Sequence, residues 1–416
     1  MEPIVTGVTK INGPVAFHIL RSPNNIVVFH LYGDYHHSTS QGCRAGKTLR
    51  LTRKGDDLTP ESIAAKDATT IDITASLYLT LRYNNLMKIR TILLVERPLD
   101  IEVRKTLMEE EVSKDGWLTD VTKLIRQSAL LQPICTVEAS DIRQNYSSGT
   151  LDILTHIGMV ELPTVMKEGQ DYIMALFNII NIVFRHYENL FDAMCNMDNL
   201  DKLRNIIDEV GDLRKSPVRD RCLESLHSML KVEPLVINGR TRHGHKIAVA
   251  LEQLRAYSND TRSIANANLR YIKSKYLALK SDLDQASILT EISSSIRSYS
   301  DSDEVVQAVL DSLLESLIIT FVKMAALFMD IYTITKAFAS RSTTKIIFAG
   351  NAHIDRYIDL LKDVHNYSHI VNEINVVQFF DDEEQKMVDE YTRCIQLDTL
   401  PRYLDFNNMK SIVYKQ

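Results

Sequence analysis

The chain has no cysteine pairs. Cys43, Cys135, Cys195, Cys222 and Cys394 are odd in number, scattered, and form no CxxC. Such a set argues for free thiols in a reducing compartment and against a structural zinc site. Excess positive charge is missing too: the net charge is -6, which gives no basic footprint, so nucleic acid is not an expected partner. There is no Gly-x-x-x-x-Gly-Lys phosphate loop and no Gly-x-Ser-x-Gly nucleophile elbow. The amino terminus, Met1-Glu2-Pro3-Ile4, lacks the basic and apolar regions of a secretory leader. A cytoplasmic location is therefore expected. A membrane-length apolar run is also lacking. The nearest approach is Leu313 to Ala339, where Leu317-Ile318-Ile319-Thr320-Phe321-Val322 is soon interrupted by Lys323, Asp330 and Lys336. A span needs about 20 mostly apolar residues and tolerates central charge poorly. The stretch is expected to be a buried helix, with Phe321, Met324, Phe328 and Met329 as packing residues.

What the chain does contain is ordinary globular material, 45% hydrophobic and 25% charged. At 416 residues it exceeds the size at which one core usually stops growing, so two domains, or one with an insertion, are expected. Strands are predicted over 15–20 and 26–32, separated by the turn formers Ser22-Pro23-Asn24-Asn25. The polar, glycine-bearing stretch 38–62 reads as a long loop. Residues 69–88 read as a helix, 91–95 as a strand buried on both faces, 117–131 as an amphipathic helix and 134–139 as a strand. From about residue 160 the pattern is almost all helical. Strand character returns at Lys345, an amphipathic helix follows over 354–361, and 374–380 resembles another strand. The alternation indicates an α/β fold, with α+β as the alternative, whose mixed central sheet is split by a long, mostly helical insertion. The expected division is 1–160 and 343–416 for the α/β domain and 161–342 for the insertion.

Chemistry concentrates where the apolar runs stop. Ile26-Val27-Val28-Phe29-His30-Leu31-Tyr32 ends in Gly33-Asp34-Tyr35-His36-His37, and Lys345-Ile346-Ile347-Phe348-Ala349 ends in Gly350-Asn351-Ala352-His353. Glycine lets the chain turn sharply at a strand end, and histidine supplies a base or ligand near neutral pH. In α/β proteins the carboxyl ends of strands are where sites assemble. Glu96 ends the run Thr91 to Val95. Asp141 and Arg143 end the fourth strand, two apart and so on one face, where an arginine fork suits an oxyanion or carboxylate.

This ordered set resembles the erythromycin esterase/ChaN/TIKI/TraB superfamily, which carries a GxxH-type motif after an early strand, a strand-terminal glutamate, an arginine, and a late GxxH before a helix. The resemblance covers roughly residues 25–145 and 343–380, and Phe348-Ala349-Gly350-Asn351-Ala352-His353-Ile354 is its closest local match. It implies metal-dependent peptide cleavage as in TIKI-like proteins or metal-free lactone opening as in the esterases. Other branches bind haem or have no established activity. Divergent members in large DNA viruses make a viral origin, with residence in host cytoplasm or virion, part of what it implies. Asp34 stands where the esterase branch tends to carry glutamate, and Glu138 is the stand-in for a second catalytic glutamate.

The rival reading is a calcineurin-like phosphoesterase, from Asp34-x-His36, Gly350-Asn351-Ala352-His353 and His243-Gly244-His245. Motif order is reversed for that family, Ala352 interrupts the Asn-His pair, and the middle Gly-Asp-x-x-Asp-Arg element is missing. His36, His37 and Cys43 lack the fixed partners of a soft zinc site. Arg240 to Lys246 is a basic cluster opening a helix, where an anion or a solvated cap would fit. The expectation is thus a hydrolase of a small molecule or peptide, acting on an ester, lactone or amide through His36, Glu96, Arg143 and His353. A divalent metal, where one binds, would fall to His36, Glu96 and His353. The alternative is a catalytically lapsed structural or interaction protein that assembles, with itself or a partner, through its helical half.

Overall fold

The computed structural model describes residues 10–34, 48–51, 63–64, 70–98, 133, 135–141, 259–282, 319–320, 323–324, 326–327, 329–374, 376–381, 386–391 and 394–396. It divides the chain into two compact units, 1–140 with 340–416, and 141–339. Helices and multi-stranded mixed sheets occur together, as expected of an α/β chain.

The first unit centres on a six-stranded sheet of order β10-β2-β3-β9-β7-β8. These strands are β2 (Ala16–Arg21), β3 (Val28–Asp34), β7 (Thr91–Pro98), β8 (Cys135–Asp141), β9 (Thr344–Gly350) and β10 (Ser368–Ile374). β3, β9 and β7 run parallel at its centre; at one side β2 pairs antiparallel with β3, and β10 pairs antiparallel with β2. All seven residues of β9 are buried, which suits a central parallel strand covered on both faces. The β2–β3 turn forms as its residues dictate. Ser22 Oγ donates to Asn24 Oδ1 at 2.6 Å, the Val27 N–H donates to Ser22 Oγ at 2.9 Å, and Asn25 takes φ 60°, a conformation asparagine tolerates better than most residues.

A second sheet has the order β13-β1-β6-β4-β5, from β1 (Lys10–Asn12), β4 (Thr48–Leu51), β5 (Ile63–Ala64), β6 (Thr70–Asp72) and β13 (Cys394–Gln396). Helix α1 (Ile73–Leu86) leaves β6 directly. One hydrophobic cluster joins Ile11 and Ile71 of this sheet, Ile73, Leu77, Tyr78 and Leu81 of α1, and Phe17, Tyr32, Leu93, Val95 and Phe348 of the six-stranded sheet. Alternation along the strands puts those last residues on one face. Phe17, Tyr32 and Phe348 form an aromatic stack across three strands, with ring centroids 4.6 and 4.4 Å apart. α1 is tied to β7 by Asn84 Nδ2, which donates to Thr91 Oγ1 at 2.9 Å.

Three expectations change in detail. The stretch 38–62 contains β4, and the helix expected over 69–88 begins only after β6. Such short strands, in a small sheet among polar residues, carry too little apolar alternation to stand out. The strand expected over 374–380 is β11 (Val376–Asp381), paired with β12 (Lys386–Tyr391), and β10 precedes it.

In the second unit, helix α2 (Asn259–Asp282) buries Ala265, Leu269, Ile272 and Tyr276, one stripe at helical spacing. Residues 323–324 and 329–339 are also helical, and Met324 and Met329 are buried as packing residues. Among the described residues no helix is long and apolar enough to cross a membrane.

Candidate functional site

The parallel pairing of β3 with β9 sets the two glycine-ended strands side by side. Gly33 stands opposite Ala349, and Asp34 opposite Gly350. On the other side of β9, Val95 is opposite Phe348, so Glu96 reaches the same strand-end rim. By alternation Glu96 lies on the face opposite α1. That is the face to which β9 returns as helix α3 (Asn351–Asp359), which packs on β3 and continues as a π-helical turn over Leu360–Val364.

Gly350 is the N-cap of α3 and brings no side-chain oxygen to its first turn. Glu96 satisfies the cap residue's own donor instead: its Oε2 receives the backbone N–H of Gly350. A carboxylate at a helix amino terminus is also favoured by the helix dipole. The other oxygen, Oε1, lies 3.6 Å from Nε2 of His353. Both residues are more than nine-tenths buried. Electrostatic interactions at that depth are weakly screened, so the geometry of the carboxylate and the ring matters more than at a surface. On the far side of the ring, Arg356 Nη2 lies 3.0 Å from His353 Nδ1.

The rim has further polar groups. Asp34 is buried at the end of β3. Asn351 Nδ2 donates to Asp355 Oδ2 at 3.2 Å, and burial, with help from Asp359, pushes the Asp355 carboxyl up against the pull of Arg356. Glu138 sits half-buried on β8, and Asp141 is that strand's last residue.

The structure therefore brings Glu96 and His353 together, with Asp34 on the same rim. His36, Arg143, His37, Cys43, the 117–131 helix and the Arg240–Lys246 cluster lie outside the described residues. Among the described residues no cluster of three or more His, Cys, Asp or Glu could hold a metal ion; of the ligand set expected from sequence, Glu96 and His353 are described. Arg356 escaped the sequence reading. Its signal was available, since residues three apart on a helix share a face, and Arg356 is three beyond His353.

Two other groups lie apart from this rim. His18 on β2 and His369 on β10 stand with ring centroids 5.6 Å apart. Lys345, on the same face as Glu96 but near the opposite end of β9, is buried with its Nζ donating to Ser340 O at 2.9 Å. Cys135, a free cysteine, is buried in the core, which pushes its thiol up to about 12 and makes it a packing residue. With the fold and rim so described, no family model matches this chain, and no curated protein and no solved structure matches it.

Proposed function

We propose that this chain is a hydrolase that cleaves an ester, lactone or amide, with Glu96 and His353 as its central polar pair. The observation that carries the reading is the 3.6 Å approach of His353 Nε2 to Glu96 Oε1, at the carboxyl ends of parallel strands β7 and β9. A buried carboxylate beside an imidazole suits removal of a proton from attacking water and stabilisation of the charge that develops. In this reading His36 and Arg143 complete the site from the segments after β3 and β8, with Arg143 steadying negative charge, and Asp34, Glu138 and Asp141 shape the rim. In a metal-assisted version His36, Glu96 and His353 would hold a divalent ion that activates water.

The same reading makes the chain a divergent relative of the erythromycin esterase/ChaN/TIKI/TraB group. Its α/β body, 1–160 and 343–416, is interrupted by the helical segment 161–342, and the protein works in a cytoplasm. What supports this is the adjacency of β3 and β9, two strands that end in glycine and pair so that Asp34 faces Gly350. The test is a panel of activated esters, lactones and peptides, with metal content measured alongside. Turnover should fall roughly 10²–10⁴-fold in Glu96→Gln and His353→Ala. Wild-type protein that is inactive across the panel and metal-free would sink the proposal.

A second reading is favoured by the bond from Gly350 N–H to Glu96. There Glu96 only ties β7 to the start of α3, and the chain is a lapsed structural or interaction protein, viral in origin, whose helical half assembles. It predicts inactive wild-type protein and a tight oligomer.

A further inference from the structure

We infer that Arg356 is a positioning residue that decides which nitrogen of His353 carries the proton, and thereby divides the chemical roles between His353 and Glu96. Its catalytic meaning rests on the hydrolase reading above; the protonation pattern does not.

Arg356 Nη2 lies 3.0 Å from His353 Nδ1. A guanidinium has only N–H donors and keeps its charge at any pH where proteins stay folded. It can donate to Nδ1 but cannot accept from it. Nδ1 is therefore the lone-pair nitrogen, and the single hydrogen of the neutral ring sits on Nε2. Nε2 faces Glu96 Oε1, whose partner oxygen is held by Gly350 N–H. The order is guanidinium, imidazole, carboxylate, with every donor pointing toward the glutamate. Helix geometry secures it, because residues 353 and 356 share a face of α3. A proton on Nδ1 would break the bond, and with Nε2 also protonated it would set a second cation against Arg356.

Two consequences follow for the chemistry. A neutral ring that presents N–H toward the site is an electrophile rather than a base. Water attacks the carbonyl carbon, its proton passes to Glu96, and His353 Nε2–H, which at 3.6 Å from Oε1 is beyond hydrogen-bond length, donates to the developing oxyanion while keeping its own proton. When the intermediate collapses, the bond to the leaving oxygen or nitrogen breaks and Glu96 returns the proton to it. Glu96 is then the one proton carrier, and both residues end as they began. The second consequence concerns metals. A ligating imidazole needs a free lone pair. Here Nε2 is protonated and Nδ1 is engaged, so a metal between Glu96 and His353 requires Arg356 to let go. Arg356 thus commits the site to metal-free hydrolysis.

The experiment is ¹⁵N-histidine NMR on the full chain, with His353→Gln to assign the resonances. Wild type should show an unprotonated Nδ1 and a protonated Nε2. Arg356→Lys, still only a donor, should keep that pattern. Arg356→Glu, an acceptor, should reverse it, and in the same variant Zn²⁺ or Co²⁺ should perturb His353, as it does not in wild type. Protonated Nδ1 in wild type overturns the inference, and so does an unchanged pattern in a folded Arg356→Glu variant. Hydrolysis should drop at least about tenfold in Arg356→Glu and be largely restored in Arg356→Lys, the size expected when one acid–base or electrostatic contact is misdirected. Were wild type inactive on every substrate, the hydrolase reading would fail while the spectra still decided the role of Arg356.

Discussion

Asn351 lies over Gly33: a Cβ built at position 33 would fall on the Asn351 side-chain oxygen and within 3.1 Å of Ala16 Cβ. The glycine of the early motif is thus required by the asparagine of the late one, for space and not for an unusual backbone angle. Gly33→Ala should destabilise the protein by about 1–3 kcal/mol, the usual cost of overpacking. Asn351→Ala alone should cost only about 1 kcal/mol, because its bond to Asp355 is exposed. Combined, the two should cost less than their sum, and urea unfolding of the double-mutant cycle reads that coupling. Strict additivity would mean that the two motifs do not interlock.

Glu96 has two tasks that substitution can separate. It accepts the Gly350 N–H, and one oxygen faces His353. Glu96→Ala leaves a buried N–H without its acceptor and should cost about 2–3 kcal/mol. Glu96→Gln keeps an acceptor oxygen for that N–H and should cost about 1 kcal/mol less than the alanine. Chemical denaturation of the two variants, beside their turnover, distinguishes a tether from a proton carrier. Equal stability of the two variants would remove the tether.

How much of this was legible in sequence depended on burial. β3, β7 and β9 lie at the centre of the six-stranded sheet and declare themselves as continuous apolar runs ending in Gly33, Glu96 and Gly350. β6 is three residues long and runs straight into α1, so periodicity absorbs it into the helix. β10 reads Ser-His-Ile-Val-Asn-Glu-Ile, an edge strand with mixed polarity and a register irregularity between His369 and Val371. At the site, Glu96 and His353 follow from strand ends. Arg356 does not, because its part depends on which ring nitrogen it meets, and only coordinates supply that.

Acid should loosen the β10 side of the sheet. His18 is 1% exposed, and neither ring nitrogen has a hydrogen-bond partner of good geometry, Asn372 being a weak one at most. Burial first, and then neighbouring His369, push its pKa down to about 4, against a weaker opposing influence from Asn372. Burial, and then Lys362, also lower His369. Buried His30, across the sheet, is likewise lowered to about 4. The folded pKa lies below the unfolded value near 6.5, so the unfolded chain binds protons first. Stability is full above about pH 6.5 and falls as pH drops toward 4, with a slope approaching about 1.4 kcal/mol per pH unit for each such histidine. His18→Leu removes at most the weak contact with Asn372 and should lower the acid midpoint while changing stability at pH 7 by less than about 1.5 kcal/mol. An unmoved midpoint would exclude His18 as a source of acid sensitivity.

Lys345 offers the opposite test, in alkali. Its amine is buried on β9, donates to Ser340 O at 2.9 Å and stands 6.0 Å above the Phe29 ring. Those contacts favour the charged form, but burial outweighs them and lowers the pKa from 10.5 to about 7. Because the unfolded chain holds this proton more tightly, the penalty is largest below about pH 7 and fades as pH rises toward 10.5. A shift of that size corresponds to an upper limit on the order of 5 kcal/mol. Lys345→Met keeps the length and apolar stem of the side chain, never charges, and leaves the Ser340 carbonyl without this donor, a loss of about 1 kcal/mol. The desolvation gain is the larger quantity at neutral pH. Lys345→Met should therefore be more stable than wild type by about 1–3 kcal/mol at pH 7, and the advantage should vanish or reverse near pH 10, where only the lost hydrogen bond remains. Denaturant unfolding at the two pH values measures both numbers. A variant equally destabilised at pH 7 and pH 10 would show that the amine is held by its contacts and not strained by its burial.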